Sequence, residues 1–396
     1  MSPRRAYSGR RYRRRRSPLP ALLLVMVLAA LVLGALAIFT DVFKKDKPAP
    51  APDDPVITQP DDGQQPNDGT DGQGGEDGQQ PDDTQQPTGN KTLDTITTDA
   101  TPYQSGGVYV VGDTGFEMYS YVDSLAKNYA DIVNSVADQL TGVSTVYAMA
   151  VPLSSGITLP DALYSDIPGS DQAQAEKDIL AAMGNNVKTV PLHETLMAHR
   201  GEYIYFRTDH HWTALGAYYA YQAICQATDQ TPAPLDSFTP WDQGTFTGSL
   251  YGQARWPRKL KKDDCIAYIP QGDITMMVKD KGSFQEMPLL RDMTKGNENE
   301  KYVTFLSSDH ALCEITNNSL PEGTACLLVK DSFGNCLAPF LTQNYHKVYA
   351  MDYRKYGVSG LKYFVENNEV QDVIFSPYLI ATQSILGNDL ISGLCN

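Results

Sequence analysis

The last three hundred residues of this 396-residue chain predict an α/β fold, a mostly parallel sheet with helices on both faces. Two observations carry that prediction: short β-rich apolar runs alternate with segments of helical periodicity, and a body of this length buries a substantial core. Residues 108–111 (VYVV) read as a strand, 117–140 as one or two helices, and 143–151 as a second apolar strand. Residues 173–183 are helical, 187–192 a strand, and 213–226 a helix apolar around much of its surface. Residues 232–300 interrupt the alternation with Gly, Lys and turn residues and read as an insertion or small subdomain. The pattern then resumes with a strand at 325–329 and a helix over 333–343. A strand at 348–351, a helix at 358–367 and a last strand at 372–375 complete it.

The residues ahead of this body, which spans 94–396, differ in composition. Residues 1–45 carry eight Arg and two Lys against one Asp; residues 46–90 carry one Lys against eleven acids. With a net charge of −15 for the whole chain, the rest holds −14. An acidic body lacks the clustered Lys and Arg that phosphate backbones require, which argues against nucleic acid as a partner. Behind the basic segment 1–18, residues 19–40 contain no charge, and at ~1.5 Å per residue they span a ~30 Å hydrocarbon layer. The alternative, a cleaved signal peptide, has a shorter apolar region and a small-residue cleavage site, which Phe39-Thr40-Asp41 does not offer. The Arg cluster places the N-terminus in the cytoplasm and the body outside a single-pass cell-membrane anchor. Residues 41–93, rich in Pro, Gln, Gly and Asp, cannot bury enough apolar surface to order themselves and read as a disordered linker. Cys225, Cys265, Cys313, Cys326, Cys336 and Cys395 form no C-x-x-C pair, which argues against a zinc ribbon. Their spacing selects no disulfide.

Two segments carry the chemistry. Leu327-Leu328-Val329-Lys330-Asp331-Ser332-Phe333-Gly334-Asn335 is a strand that turns into a helix at a serine. A serine there projects from the carboxyl edge of the sheet, and the free N–H groups of the new helix can hold an oxyanion. It needs a base with an orienting carboxylate, and Tyr205-Phe206-Arg207-Thr208-Asp209-His210-His211-Trp212 supplies Asp209 and His211 within three residues. Asp331-Ser332 also fits a plain helix N-cap. Asp209, His210 and His211 also fit a metal site, although adjacent histidines diverge on most backbones. Trp212 fits either packing or a sugar platform. His193, His199 and His346 read as surface or capping residues.

Residues 205–217, reading YFRTDHHWTALGA, resemble the signature of the bacterial DHHW protein family, which is similar to the alginate O-acetyltransferase branch of SGNH hydrolase-like proteins. The likeness extends through residues 108–116, taken as the opening strand and Gly-rich turn, residues 146–154, and the Asp-Ser-Phe block at 331–333. The resemblance implies a three-layer α/β/α SGNH-like fold with circularly permuted motif order, and a triad of Ser332, His211 and Asp209. His210 stands where the alginate branch has Thr. The N–H of Ser332 or its neighbour is the implied first oxyanion donor. Arg354, in Met-Asp-Tyr-Arg, matches a recurring Arg that contacts substrate or pairs with an acid. Where the family pattern reads Gly-Gly-Asn-His, this chain has Ser307-Ser308-Asp309-His310. An ionised Asp cannot donate, so Asn335 becomes the substitute candidate for the second oxyanion donor. His310 stays a site candidate.

The resemblance implies an O-acetyltransferase or acetylesterase acting outside the cell on a cell-wall or exopolysaccharide, without cofactor or metal. No acetyl-CoA reaches that side, so a transferase requires a partner that exports acetyl groups, and the resemblance suggests a membrane-bound O-acyltransferase as that acetyl donor. The alternative is a non-catalytic surface binding or scaffold protein that keeps the fold. A metal-dependent hydrolase using His210 and His211 is a third reading.

Overall fold

A computed structural model of the chain describes residues 96–255 and 259–395. The expected basic segment, membrane span and linker lie outside the described residues. Among the described residues, no helix is long and apolar enough to cross a membrane.

Eight strands form the main sheet. Five of them run parallel: β4 (Thr145–Ala148), β5 (Val187–Thr189), β11 (Ala325–Lys330), β12 (Lys347–Asp352) and β13 (Asp372–Ser376). Each lies where the apolar runs predicted a strand. The other three, β8 (Ile274–Lys279), β9 (Gln285–Glu286) and β10 (Leu312–Asn317), continue the sheet antiparallel. Their order across the sheet is β5-β4-β13-β11-β12-β10-β8-β9. Part of the 232–300 region thus extends the sheet, while β6 (Thr239–Phe246) and β7 (Asp263–Ile269) pair only with each other.

Period-two alternation places the core on both faces of the sheet. Tyr147, Cys326, Leu328, Val348, Ala350 and Ile374 join one apolar cluster, which also holds α4 (Ala214–Ala227) and α5 (Phe333–Leu341). Their neighbours Val146, Leu327, Val329, Tyr349, Val373 and Phe375 join the other, with α1 (Asp123–Gln139), α2 (Gln172–Ala181), α6 (Leu361–Asn367) and α7 (Ile385–Cys395). Two helical layers therefore sandwich the sheet. Helix α1 buries Ala126, Tyr129, Ala130, Val133, Val136 and Ala137, the spacing of one helical face. All six cysteines are buried free thiols, and Cys336 packs inside α5.

Residues 108–116 correct one expectation. They do not open the main sheet but form a separate antiparallel meander of β1 (Tyr103–Ser105), β2 (Val108–Val111) and β3 (Thr114–Phe116). Gly106 (φ +66°) and Gly112 (φ +60°) sit in its two-residue turns. Such turns close a hairpin locally, whereas parallel pairing needs a long crossover. The Gly115 N–H donates to the Arg207 carbonyl at 2.8 Å, tying the meander to the Asp-His-His segment.

Helix α2 carries a buried acid with a titration signature. Glu176 accepts the Leu192 N–H at 2.8 Å and the His193 N–H at 3.1 Å, capping α3 (His193–Met197). Burial raises its carboxyl to about 7, against the pull of those N–H groups. A carboxyl raised on folding contributes stability that is full below the unfolded value and lost as pH rises through the folded one. For Glu176 that window runs from about 4.5 to about 7. In thermal melts from pH 5 to 8, Glu176→Gln is expected to show a flatter decline of Tm than wild type, the difference equivalent to at most roughly 3 kcal/mol.

Candidate active site

Strand β11 delivers the serine. The chain leaves the sheet at Lys330, turns through Asp331 and Ser332, and enters α5 at Phe333. Ser332 has helical dihedrals (φ −62°, ψ −22°) and makes no side-chain cap, so its hydroxyl is free to face outward. Ser332 Oγ lies 2.7 Å from His211 Nε2. His211 Nδ1 lies 2.5 Å from Asp209 Oδ1, which also accepts the His211 N–H at 3.0 Å. The other carboxylate oxygen of Asp209 accepts the Ser249 N–H at 2.7 Å. The structure thus brings Ser332, His211 and Asp209 into one hydrogen-bonded line at the carboxyl edge of the parallel strands.

Electrostatics and packing hold that line. Burial alone would raise the Asp209 carboxyl, but the imidazoles of His211 and His210 and the Ser249 N–H hold it well below the usual carboxylate range. It is a fixed negative charge beside Nδ1. Tyr302 stacks on the His211 ring, with centroids 3.9 Å apart and planes 12° off parallel, and its hydroxyl donates to the Ser332 carbonyl at 3.0 Å. Asp263 gathers the segment ahead of the base, accepting the Arg207 and Thr208 N–H groups at 2.8 Å each and the hydroxyls of Tyr203 and Thr208. Gly248 leaves room for the carboxylate: a Cβ there would collide with Asp209 Cβ and Oδ2. Sequence reasoning missed Gly248, Ser249, Asp263 and Tyr302. All lie in or beside the 232–300 region, which carried no periodic signal.

Around Ser332 lies a cavity of 370 Å³, with Glu117, His210, Arg354 and Tyr378 among its walls. The N–H groups of Phe333, Gly334 and Asn335 are taken by Asp331 Oδ1, the Asp331 carbonyl and the Ser332 carbonyl. The Ser332 N–H takes part in none of these bonds. His210 Nδ1 bonds Ser249 Oγ at 2.6 Å, and burial, then the charge of His211, push its imidazole down.

Several candidates fall elsewhere. Trp212 is fully buried and donates Nε1–H to the Phe333 carbonyl at 3.1 Å; it packs the serine turn and is no sugar platform. Asn335 is buried, accepting from Lys330 Nζ at 2.6 Å and donating to Asp309 Oδ1 at 2.8 Å. Its amide is drawn into a charge network instead of facing Ser332 as an oxyanion donor. Arg354 pairs with acids, binding Asp352 through Nε and Nη2 at 2.9 and 2.6 Å and Asp309 at 2.9 Å, while still lining the cavity. His310 does not line that cavity; its Nδ1 sits 2.8 Å from Asp280. Asp209, His210 and His211 offer ligand atoms within 4.8 Å of one another, yet both ring nitrogens of His211 already have partners in Asp209 and Ser332.

The Ser-Ser-Asp departure has a backbone consequence. Leu306, Ser307 and Ser308 all have positive φ, +52°, +56° and +128°. Side chains strain such backbone, most of all at Ser308, where glycine is at ease. Asp309 follows directly; burial works against its charge, but Lys330 and Arg354 outweigh it and hold the carboxyl low, so it acts as an acceptor. Ser308→Gly is expected to stabilise the fold by ~1 kcal/mol, seen as a rise of a few degrees in Tm.

An α/β sandwich presenting a Ser–His–Asp line at the carboxyl edge of its parallel strands defines a class of protein by fold and site together. The chain belongs to the DHHW protein family, whose profile matches residues 79–351. No curated protein matches it. Its fold is similar to that of a DHHW family protein from Eubacterium siraeum: TM-score 0.67, 24% identity, covering 77% of this chain and 99% of that one. It is also similar to Bacillus cereus PatB1, solved with a sulfonyl adduct: TM-score 0.58, 17% identity, covering 74% of this chain and 98% of that one. At these identities the likeness is one of fold.

Proposed function

We propose that the protein is a serine-dependent acyltransferase, an O-acetyltransferase or acetylesterase that modifies a cell-surface polysaccharide. The observation that carries the reading is the hydrogen-bonded line from Asp209 through His211 to Ser332 Oγ, at 2.5 and 2.7 Å, opening on a cavity. Ser332 Oγ attacks the acetyl carbonyl of a donor while His211 Nε2 takes the hydroxyl proton. The Ser332 N–H faces the oxyanion. Collapse breaks the bond to the leaving group, which receives the proton from His211, and acetyl-Ser332 remains. A sugar hydroxyl, or water, then gives its proton to His211 and attacks the acetyl carbonyl, and Ser332 leaves with that proton restored. Asp209 holds the base in the tautomer that both steps need.

Residues 19–40 anchor the enzyme in the cell membrane, with the body outside the cell and residues 41–93 as its tether. A membrane-bound O-acyltransferase supplies acetyl groups across the membrane. The sulfonyl adduct on PatB1 supports the reading by analogy, since sulfonyl reagents capture activated hydroxyl nucleophiles. The test is the ester-linked acetate on surface polysaccharide in a strain lacking the protein. A transferase predicts loss of acetate, restored by the wild-type chain and not by Ser332→Ala; an esterase predicts gain. Unchanged acetate would leave the scaffold reading in its place.

A further inference from the structure

A second cavity lies apart from the serine itself. It measures 510 Å³, within the range of ligand sites. Glu117 lines both this cavity and the Ser332 cavity, so one side chain forms a wall common to the two. Its Oε2 accepts the Tyr378 hydroxyl at 2.7 Å, and Tyr378 stacks on Phe333, the residue after the serine.

The chemistry of the second cavity is distinctive. No Lys or Arg lines it, and its acids are Glu117 and Asp171. His193 lines it too, and burial pushes its imidazole down. Hydroxyls come from serines 155, 165 and 170, and apolar surface from Leu159 and Met197. Tyr164 is 39% exposed and donates its hydroxyl to the Gly156 carbonyl at 2.9 Å, which fixes the ring in the wall. Tyr119 also lines the cavity, and its buried hydroxyl has no partner among the described residues.

We propose that this cavity is the acceptor subsite, holding an uncharged, hydroxyl-rich stretch of sugar chain whose next unit lies against Ser332. The inference rests on Ser332 as the acyl carrier. A sugar ring presents an apolar C–H face to Tyr164 and hydroxyls to the serines and to Glu117. Within this cavity a chain of uronates or phosphates would meet the carboxylates of Glu117 and Asp171, with no Lys or Arg in the lining to offset the repulsion.

The test uses the full-length chain in the Ser332→Ala background, which binds without turnover, titrated calorimetrically with chitopentaose and with pentagalacturonate. Chitopentaose is expected to bind, and the uronate at least tenfold more weakly. Tyr164→Ala, at an exposed side chain, and Ser165→Trp, which fills the rim, are each expected to weaken chitopentaose about tenfold. Binding of the uronate as tightly as the neutral sugar would overturn the assignment. So would chitopentaose binding unchanged in both variants, or absent altogether. If wild-type Ser332 takes no acyl group, the catalytic reading fails by itself, whatever the titrations give.

Discussion

Asp209→Asn is expected to lower kcat for acetyl-ester turnover by about four orders of magnitude while leaving the fold in place. The reason lies in the donors around that carboxylate. Its Oδ1 faces His211 Nδ1 at 2.5 Å, and its Oδ2 accepts the Ser249 N–H at 2.7 Å. An asparagine offers one acceptor and one donor. With its oxygen toward Ser249, the NH2 faces His211 Nδ1, which must become the acceptor and move its proton to Nε2. That nitrogen then cannot take the proton of Ser332. With the amide turned the other way, NH2 meets the Ser249 N–H, donor against donor, and the base drifts. Steady-state kinetics on p-nitrophenyl acetate, with a melt alongside, reads both effects. A loss of less than tenfold would mean that His211 does not depend on Asp209.

Lys330→Met carries the largest expected effect on stability, a loss of roughly 3–5 kcal/mol. Lys330 is fully buried, with Nζ 2.6 Å from Asn335 Oδ1 and 3.5 Å from Asp352 Oδ2. Asp352 is fully buried too, and Asp309 lies 2.8 Å from Asn335 on the far side. Methionine fills the volume but removes the ammonium, leaving two acids to Arg354 alone. Urea unfolding measures the loss. The double variant Lys330→Met/Asp352→Asn, which removes one of the two acids as well, is expected to recover part of it. A single-variant loss below ~1 kcal/mol would show that Arg354 suffices for both acids.

How much of this was legible depended on where each residue sits. Strands such as Ala325–Lys330 and Asp372–Ser376 lie in the middle of a parallel sheet and are buried on both faces, so their apolar runs announced them. Asp209 and His211 stand two residues apart beside a helix start, and Ser332 stands at a strand-to-helix turn, so local sequence carried the site. The edge was not legible. Strand β8 reads ITMMVK with alternating burial, and its partner β10 lies some forty residues on, a pairing no local pattern encodes. Tyr302, stacked on the base, comes from a short 3₁₀ segment, Glu298–Thr304, whose composition suggested only turns. Asn335 failed as an oxyanion donor because its partners, Lys330 and Asp309, form a buried charge network. A lysine with no exposed surface is the opposite of what composition leads one to expect. The meander at 103–116 shows the same limit: a strand was predictable, its sheet was not.

The most direct test of the central claim is the intact mass of the protein after exposure to p-nitrophenyl acetate, with the labelled peptide identified. The account predicts one added acetyl group, located on Ser332, absent from Ser332→Ala and much reduced in Asp209→Asn. An adduct on another residue, or turnover that survives intact in Ser332→Ala, would contradict it.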